Sequence, residues 1–352
     1  MLKIRMLLRI NLLLLAVFSL ILVSCAPPEQ KPVELFWPMP PDEPRIKWVG
    51  WIRGETDVIT KDSKEKLLDA LVGKNTSGIF LGKPYGVHVA GGRIFVSDTG
   101  AGKVAVFDTV KQKAYYIGEE GQGTLSKPIG VTTDKEGNIY VADAILARVI
   151  VYDKNAKFHH TIGRKEDFER PVGVGINDDL GRVYVVDTKK HNVQAFSKEG
   201  KFLFQIGKRG AVEGDFNFPT NIFIGSDGKV YVTDGGNFRV QIFDADGKFL
   251  SLFGKVGDST GMFARPKGVA VDSEGHIYVV DAAFNNVQIF NQEKQILLFF
   301  GEMGQSPGRF WLPAGIWIDE DDKIYVADQY NRRINIFQYM GEKYKKSQQG
   351  KK

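Results

Sequence analysis

Between residues 80 and 340 apolar and polar positions alternate in short runs bounded by Gly, Pro and Asp, the period-two signature of half-buried β-strands. Laid over itself, the chain shows one unit six times. Each unit opens on a Pro and an apolar strand: Pro84-Tyr85-Gly86-Val87, Pro128-Ile129-Gly130-Val131, Pro171-Val172-Gly173-Val174, Pro219-Thr220-Asn221-Ile222, Pro266-Lys267-Gly268-Val269 and Pro313-Ala314-Gly315-Ile316. A tight turn follows, at Gly92, Gly137, Gly181, Gly228, Gly275 and Asp322, residues that tolerate positive φ. The second strand carries an aromatic residue (Phe95, Tyr140, Tyr184, Tyr231, Tyr278, Tyr325) and then an Asp (Asp98, Asp143, Asp187, Asp234, Asp281, Asp328). The third strand ends on Phe107, Tyr152, Phe196, Phe243, Phe290 or Phe337. The fourth closes on Gly118, Gly163, Gly207, Gly254 or Gly301 in five copies.

The Asp recurs every 44 to 47 residues. Four short strands in a unit of that length are the arithmetic of a β-propeller blade, and stacking the blades is what buries the aromatic rows. The expected fold is therefore all-β, a six-bladed β-propeller. The segment from Phe216-Asn217-Phe218-Pro219 through Val230-Tyr231-Val232-Thr233-Asp234-Gly235-Gly236-Asn237-Phe238-Arg239-Val240-Gln241-Ile242-Phe243-Asp244 resembles an NHL repeat, and the resemblance extends over about residues 80–340.

The sixth copy stops after three strands, which would leave an unpaired edge. Arg45–Gly54 has the apolar character and terminal Gly of a fourth strand, so it is expected to close the ring; a separate β-hairpin arm is the alternative. A helix is predicted over about 62–73, with Leu67, Leu68, Leu71 and Val72 on one face. Residues 25–44 contain seven prolines and read as an extended tether, and 341–352 as a basic, disordered tail. The propeller proper is then 45–340.

Composition changes the picture at the N-terminus. Residues 1–24 hold Lys3, Arg5 and Arg9, then an apolar run too short for a membrane span, and end at the chain's single cysteine, Cys25. Leu22-Val23-Ser24-Cys25 resembles the bacterial lipobox, and the whole N-terminal layout resembles exported bacterial six-bladed propeller lipoproteins. The resemblance implies a signal peptide over 1–24 and lipid on Cys25, with Ala26 favouring the outer membrane in a Gram-negative host; an ordinary signal peptide with an incidental Cys is the alternative. Three of the positive charges lie before Cys25, so the formal +5 falls to +2 for the mature chain, and much of that sits in the tail. Such a balance makes no case for nucleic acid as a partner.

The repeat suggests two chemistries. The Asp column could hold cations, but an Asp at a strand end before a turn ordinarily accepts hydrogen bonds from turn amides. Lys103, Arg148, Arg239 and Arg333 stand five residues on, placed to pair with it across the turn. Catalysis is the second. Six-bladed propellers include lactonase-like and amidating-lyase-like enzymes with metals in the central channel. Here the innermost rows are Val87, Val131, Val174, Ile222, Val269, Ile316 and His88, Thr132, Gly175, Phe223, Ala270, Trp317, with no carboxylate and a single His. No nucleophile elbow, phosphate loop or haem motif is present either, so no catalytic residue, metal ligand or cofactor is assigned.

What varies among the blades is one loop rim. Its candidate binding residues are Tyr85, His191, Thr220, Asn221, Asn237, Lys267, Phe284, Tyr330 and Arg332, a mixture of aromatic, Arg and Asn residues that suits an interface. The expectation is a monomeric, membrane-anchored cell-envelope propeller that binds a protein, peptide or glycan, with a metal-dependent propeller hydrolase or lyase as the alternative.

Overall fold

The computed structural model describes residues 34–59, 78–164 and 166–350. The predicted helix over 62–73, the signal peptide and Cys25 lie outside the described residues.

From Leu35 onward the described residues form one unit of six antiparallel sheets around a central channel. The innermost strands are Pro84–Ala90, Pro128–Thr133, Pro171–Asn177, Pro219–Ile224, Pro266–Val271 and Pro313–Ile318. Each packs on the next and the last meets the first, so the ring is closed. Closure uses the N-terminal strand Ile46–Ile52, which pairs with Arg333–Tyr339 in register Ile46↔Tyr339 to Ile52↔Ile334 and completes the sixth blade.

The structured region begins earlier than the sequence suggested. Phe36–Trp37, inside the expected tether, forms a further strand on Ile46–Ile52. The Trp37 ring packs on Phe300 and Phe337 at 6.0 and 5.7 Å, an aromatic anchor that Pro spacing does not reveal. The C-terminal tail also departs from expectation: Glu342–Gln349 is a helix. Its sequence lacks Gly and Pro and places Glu342 in the first turn and Lys346 in the last, as the helix dipole favours. Glu274 Oε1 accepts the Glu342 N–H at 2.8 Å, and Lys345 Nζ donates to Glu43 at 3.0 Å.

The core lies between the blades. The second- and third-strand aromatics are buried, and a Phe from the loop entering four of the blades joins them: Phe168 on Phe196, Phe216 on Phe243, Phe263 on Phe290 and Phe310 on Phe337, at 5.5 to 5.8 Å. That Phe covers the Gly ending the previous blade. At Gly254, with φ +95°, an added Cβ would lie 2.5 Å from the Phe263 ring.

Candidate functional site

The Asp column builds the rim. Each of the six carboxylates is fully buried. Asp98 accepts the amide N–H of Gly82, Lys83, Gly100 and Ala101 at 2.5 to 3.1 Å, tying the loop that enters its own blade to the turn that follows. Asp143, Asp187 and Asp281 make the same four-amide pattern, and in these four blades the carboxylate holds the backbone of Lys83, Lys127, Arg170 or Arg265. Asp234 and Asp328 differ. Each accepts one backbone amide, pairs with an Arg, Arg239 or Arg333, at 2.8 Å, and accepts two side-chain amides, from Asn237 and Gln241 or from Asn331 and Asn335. Burial pushes both carboxyls up, against the pull of these partners.

The expected ion pairing therefore holds in two blades and fails in two. Lys103 turns away to Glu119 at 2.7 Å, and Arg148 Nε donates to the Leu146 carbonyl. In blades one and two, four backbone donors already occupy the carboxylate, so no acceptor site is left for the base.

The nine rim residues separate into distinct groups. Tyr85, Thr220 and Lys267 converge on one cavity of about 390 Å³ at the channel mouth, together with Lys83, Lys127, Ile129, Arg170, Val172 and Phe218. Tyr330 stands beside it, half exposed, stacked on Trp311 and with Lys83 Nζ 5.2 Å above its ring. His191 is buried; its Nδ1 accepts the Phe218 N–H at 3.1 Å. Asn237 donates to the Gly210 carbonyl and to Asp234. Both are spent on holding loops. Phe284 is half-buried and Arg332 exposed, and neither lines the mouth cavity. Asn221 lies on the channel wall below and pairs with Thr233, just after a register shift that follows Pro219. Its siblings are Gly because the next blade presses close: a Cβ on Gly86 would sit 2.4 Å from the Ile129 carbonyl oxygen. Asn221 marks the seam between blades four and five, which Thr220 Oγ1 bridges to the Lys267 carbonyl at 3.3 Å.

The mouth is cationic. Lys83, Lys127, Arg170 and Lys267 line it, and no carboxylate does. Arg170 and Arg265 both act electrostatically on Lys267 and on Tyr85. Burial and these two guanidinium groups push the Lys267 ammonium down to about 8, against the opposing charge of Asp281. Among the described residues, Lys127, Arg170, Arg265 and Lys267 have no ion-pair partner. Four of these cations escaped the sequence reading, although the signal was there: the residue before the repeat's Pro is basic in four copies, Lys83, Lys127, Arg170 and Arg265.

Further along, the channel holds a second cavity of about 490 Å³. His88 and Phe223 stack on Trp317 at 4.0 and 5.6 Å across it. Both His88 ring nitrogens meet hydroxyls, Thr133 Oγ1 at 2.9 Å and Thr132 Oγ1 at 3.3 Å, and burial pushes the imidazole down to about 3. The far mouth carries Asp134, Asp178, Asp319 and Glu320, with Lys135 among them. Asp134, Glu136 and Asp178 lie close enough to share a cation, and Lys198 supplies it, at 3.4, 2.8 and 2.7 Å. Although burial works against that ammonium, the hydrogen bonds it donates to Asp178 and Glu136 raise its pKa, so it stays charged.

A family profile described as 6-bladed beta-propeller matches residues 174–251, and the NHL repeat profile matches 263–290. This chain is a six-bladed β-propeller that carries an NHL repeat. No curated protein matches the sequence significantly. Among solved structures, the propeller is similar to a structural genomics protein of unknown function from Bacteroides thetaiotaomicron, at 18% identity and a TM-score of 0.60, covering 74% of this chain and 70% of that one. An auxiliary nutrient binding protein from the same species aligns at 14% identity and a TM-score of 0.58, covering 74% and 70%. A catalytically inactive virginiamycin B lyase from Staphylococcus aureus, with quinupristin, aligns at 15% identity and 0.54, covering 74% and 86%. At these identities the likeness is one of fold.

Proposed function

We propose that this propeller is a lipid-anchored binding module of the cell envelope that captures its ligand at the mouth framed by the Pro-entering loops. The observation that carries the reading is the convergence of Tyr85, Thr220 and Lys267 on a single cavity whose cations are held in place by buried carboxylates. A concave site with a few fixed polar groups and an apolar wall is the usual form of a ligand site. Fixing the loops in advance lowers the entropic cost of binding. The envelope placement rests on the lipobox-like ending at Cys25, and the similar auxiliary nutrient binding protein supports a binding role.

Two measurements test it. A photo-crosslinking residue at Tyr330 in intact cells is expected to capture a specific adduct, and one at Phe202, exposed on an outermost strand, is not. Equal labelling from both positions would remove the rim from the argument. Cys25→Ala is expected to move the protein from the membrane to the soluble fraction; continued membrane association would sink the lipid anchor.

A further inference from the structure

The mouth has a chemical bias that narrows its ligand, given the reading of that rim as the ligand face. Five cationic side chains, Lys83, Lys127, Arg170, Arg265 and Lys267, gather at one end of the channel. Folding ordinarily places a carboxylate against such a group, as it does for Lys103, Lys198, Arg239 and Arg333. The carboxylates nearest the rim, Asp98, Asp143, Asp187 and Asp281, are instead sunk beneath it with their oxygens turned to backbone amides. They position the cations and are fully buried, so they present no competing charge to a bound molecule. Lys267, the second residue of Pro266–Val271, adds its positive charge to the same cavity. Tyr85, whose hydroxyl burial keeps protonated, adds a donor and an aromatic face.

We propose that this mouth binds a small organic polyanion. Its carboxylate or phosphate groups meet Lys83, Lys127, Arg170 and Lys267, and its apolar body lies against Tyr85 and Val172. A guanidinium receives either oxyanion in two parallel hydrogen bonds, and several ammonium groups suit more than one anionic centre. The cavity of about 390 Å³ limits the captured part to a small molecule or the anionic end of a larger one. The opposite mouth, with Asp134, Asp178, Asp319 and Glu320, repels the same ligand, so binding is one-sided.

The test is calorimetry on the full-length protein in detergent. Benzene-1,3,5-tricarboxylate and inorganic pyrophosphate are the probes, and neutral benzene-1,3,5-tricarboxamide is the matched control. The anions are expected to bind with a 1:1 stoichiometry and the amide not to bind; which of the two anions is tighter separates a carboxylate from a phosphate ligand. Arg170→Gln and Lys267→Gln should each weaken binding about tenfold or more, whereas Lys154→Gln, a change at an exposed lysine elsewhere, leaves it unchanged. Affinity should also fall as pH rises through about 8, where Lys267 discharges among Arg170, Arg265, Lys83, Lys127, Tyr85 and Asp281, and Lys267→Arg should flatten that dependence. Binding of neither anion, equal binding of the amide, or binding untouched by both substitutions overturns the proposal. If the Tyr330 crosslink persists in that event, the rim remains the ligand face and only the ligand chemistry is wrong; if the crosslink is lost as well, both readings fall.

Discussion

At the scale of single residues, the same type does opposite work in different places. His88 is neutral in the folded channel down to about pH 3, whereas an unfolded chain protonates it near 6.5. Below 6.5 the unfolded state therefore binds more protons, and stability contributed by this site is lost as pH falls from about 6.5 toward 3. His276 runs the other way. Its hydrogen bond to Asp272 raises its pKa, so its contribution is fully present below 6.5 and disappears as pH rises through the folded value. Comparing variant with wild type isolates the first effect. Denaturant titrations should show His88→Gln losing less stability than wild type between pH 6.5 and 4, by up to about 3 kcal/mol; parallel profiles would show that the ring is not held neutral. The Asp residues were legible in sequence because every copy carries one. Lys83, Lys127, Arg170 and Arg265 were not, because a Lys or Arg before a Pro looks like ordinary loop polarity until the fold turns those four loops toward one axis.

At the scale of elements, the recurring unit is a Phe packed over the Gly that ends the previous blade. Phe263 is fully buried between Phe253 and Phe290, so Phe263→Ala is expected to cost about 3–5 kcal/mol in equilibrium unfolding. Gly254→Ala should also destabilise, since it adds a Cβ 2.5 Å from that ring at φ +95°. The double variant should lose clearly less than the sum of the two, because removing the ring removes the clash while the backbone strain remains. Strict additivity would mean that the Gly is needed for its conformation alone. The terminal Gly was visible in sequence; its partner was not, since the Phe belongs by sequence to the next repeat.

At the scale of the whole molecule, ring closure joins the two ends of the chain. The strand Ile46–Ile52 covers the edge of Arg333–Tyr339 that the sixth repeat leaves open, and Trp48 Nε1 reaches Asn335 Oδ1 at 3.2 Å across the joint. A chain beginning at residue 55 is expected to self-associate through that edge and to unfold at lower denaturant, as sedimentation and chemical unfolding would reveal. A monomer of unchanged stability would show that the closing strand is dispensable. Closure also gives the ring two chemically different ends, a cationic mouth and an acidic one, with Trp317, His88 and Phe223 between them.

The sequence by itself determined the number of blades, the identity of their strands, the turn residues and the closing segment, because these depend on local period and on the need to cover every edge. It also identified the turn-binding role of the Asp column, which is a short-range matter of carboxylate and amide. Only the tertiary structure decided which rim residues meet. Tyr85, Thr220 and Lys267 lie far apart in the chain and share a cavity because blades one, four and five face one axis, whereas His191 and Asn237, equally conspicuous in sequence, are used up in neighbouring loops. The charge of each mouth belongs to the same class. It follows from summing contributions of several blades around a closed ring, a quantity that exists only once the ring has formed.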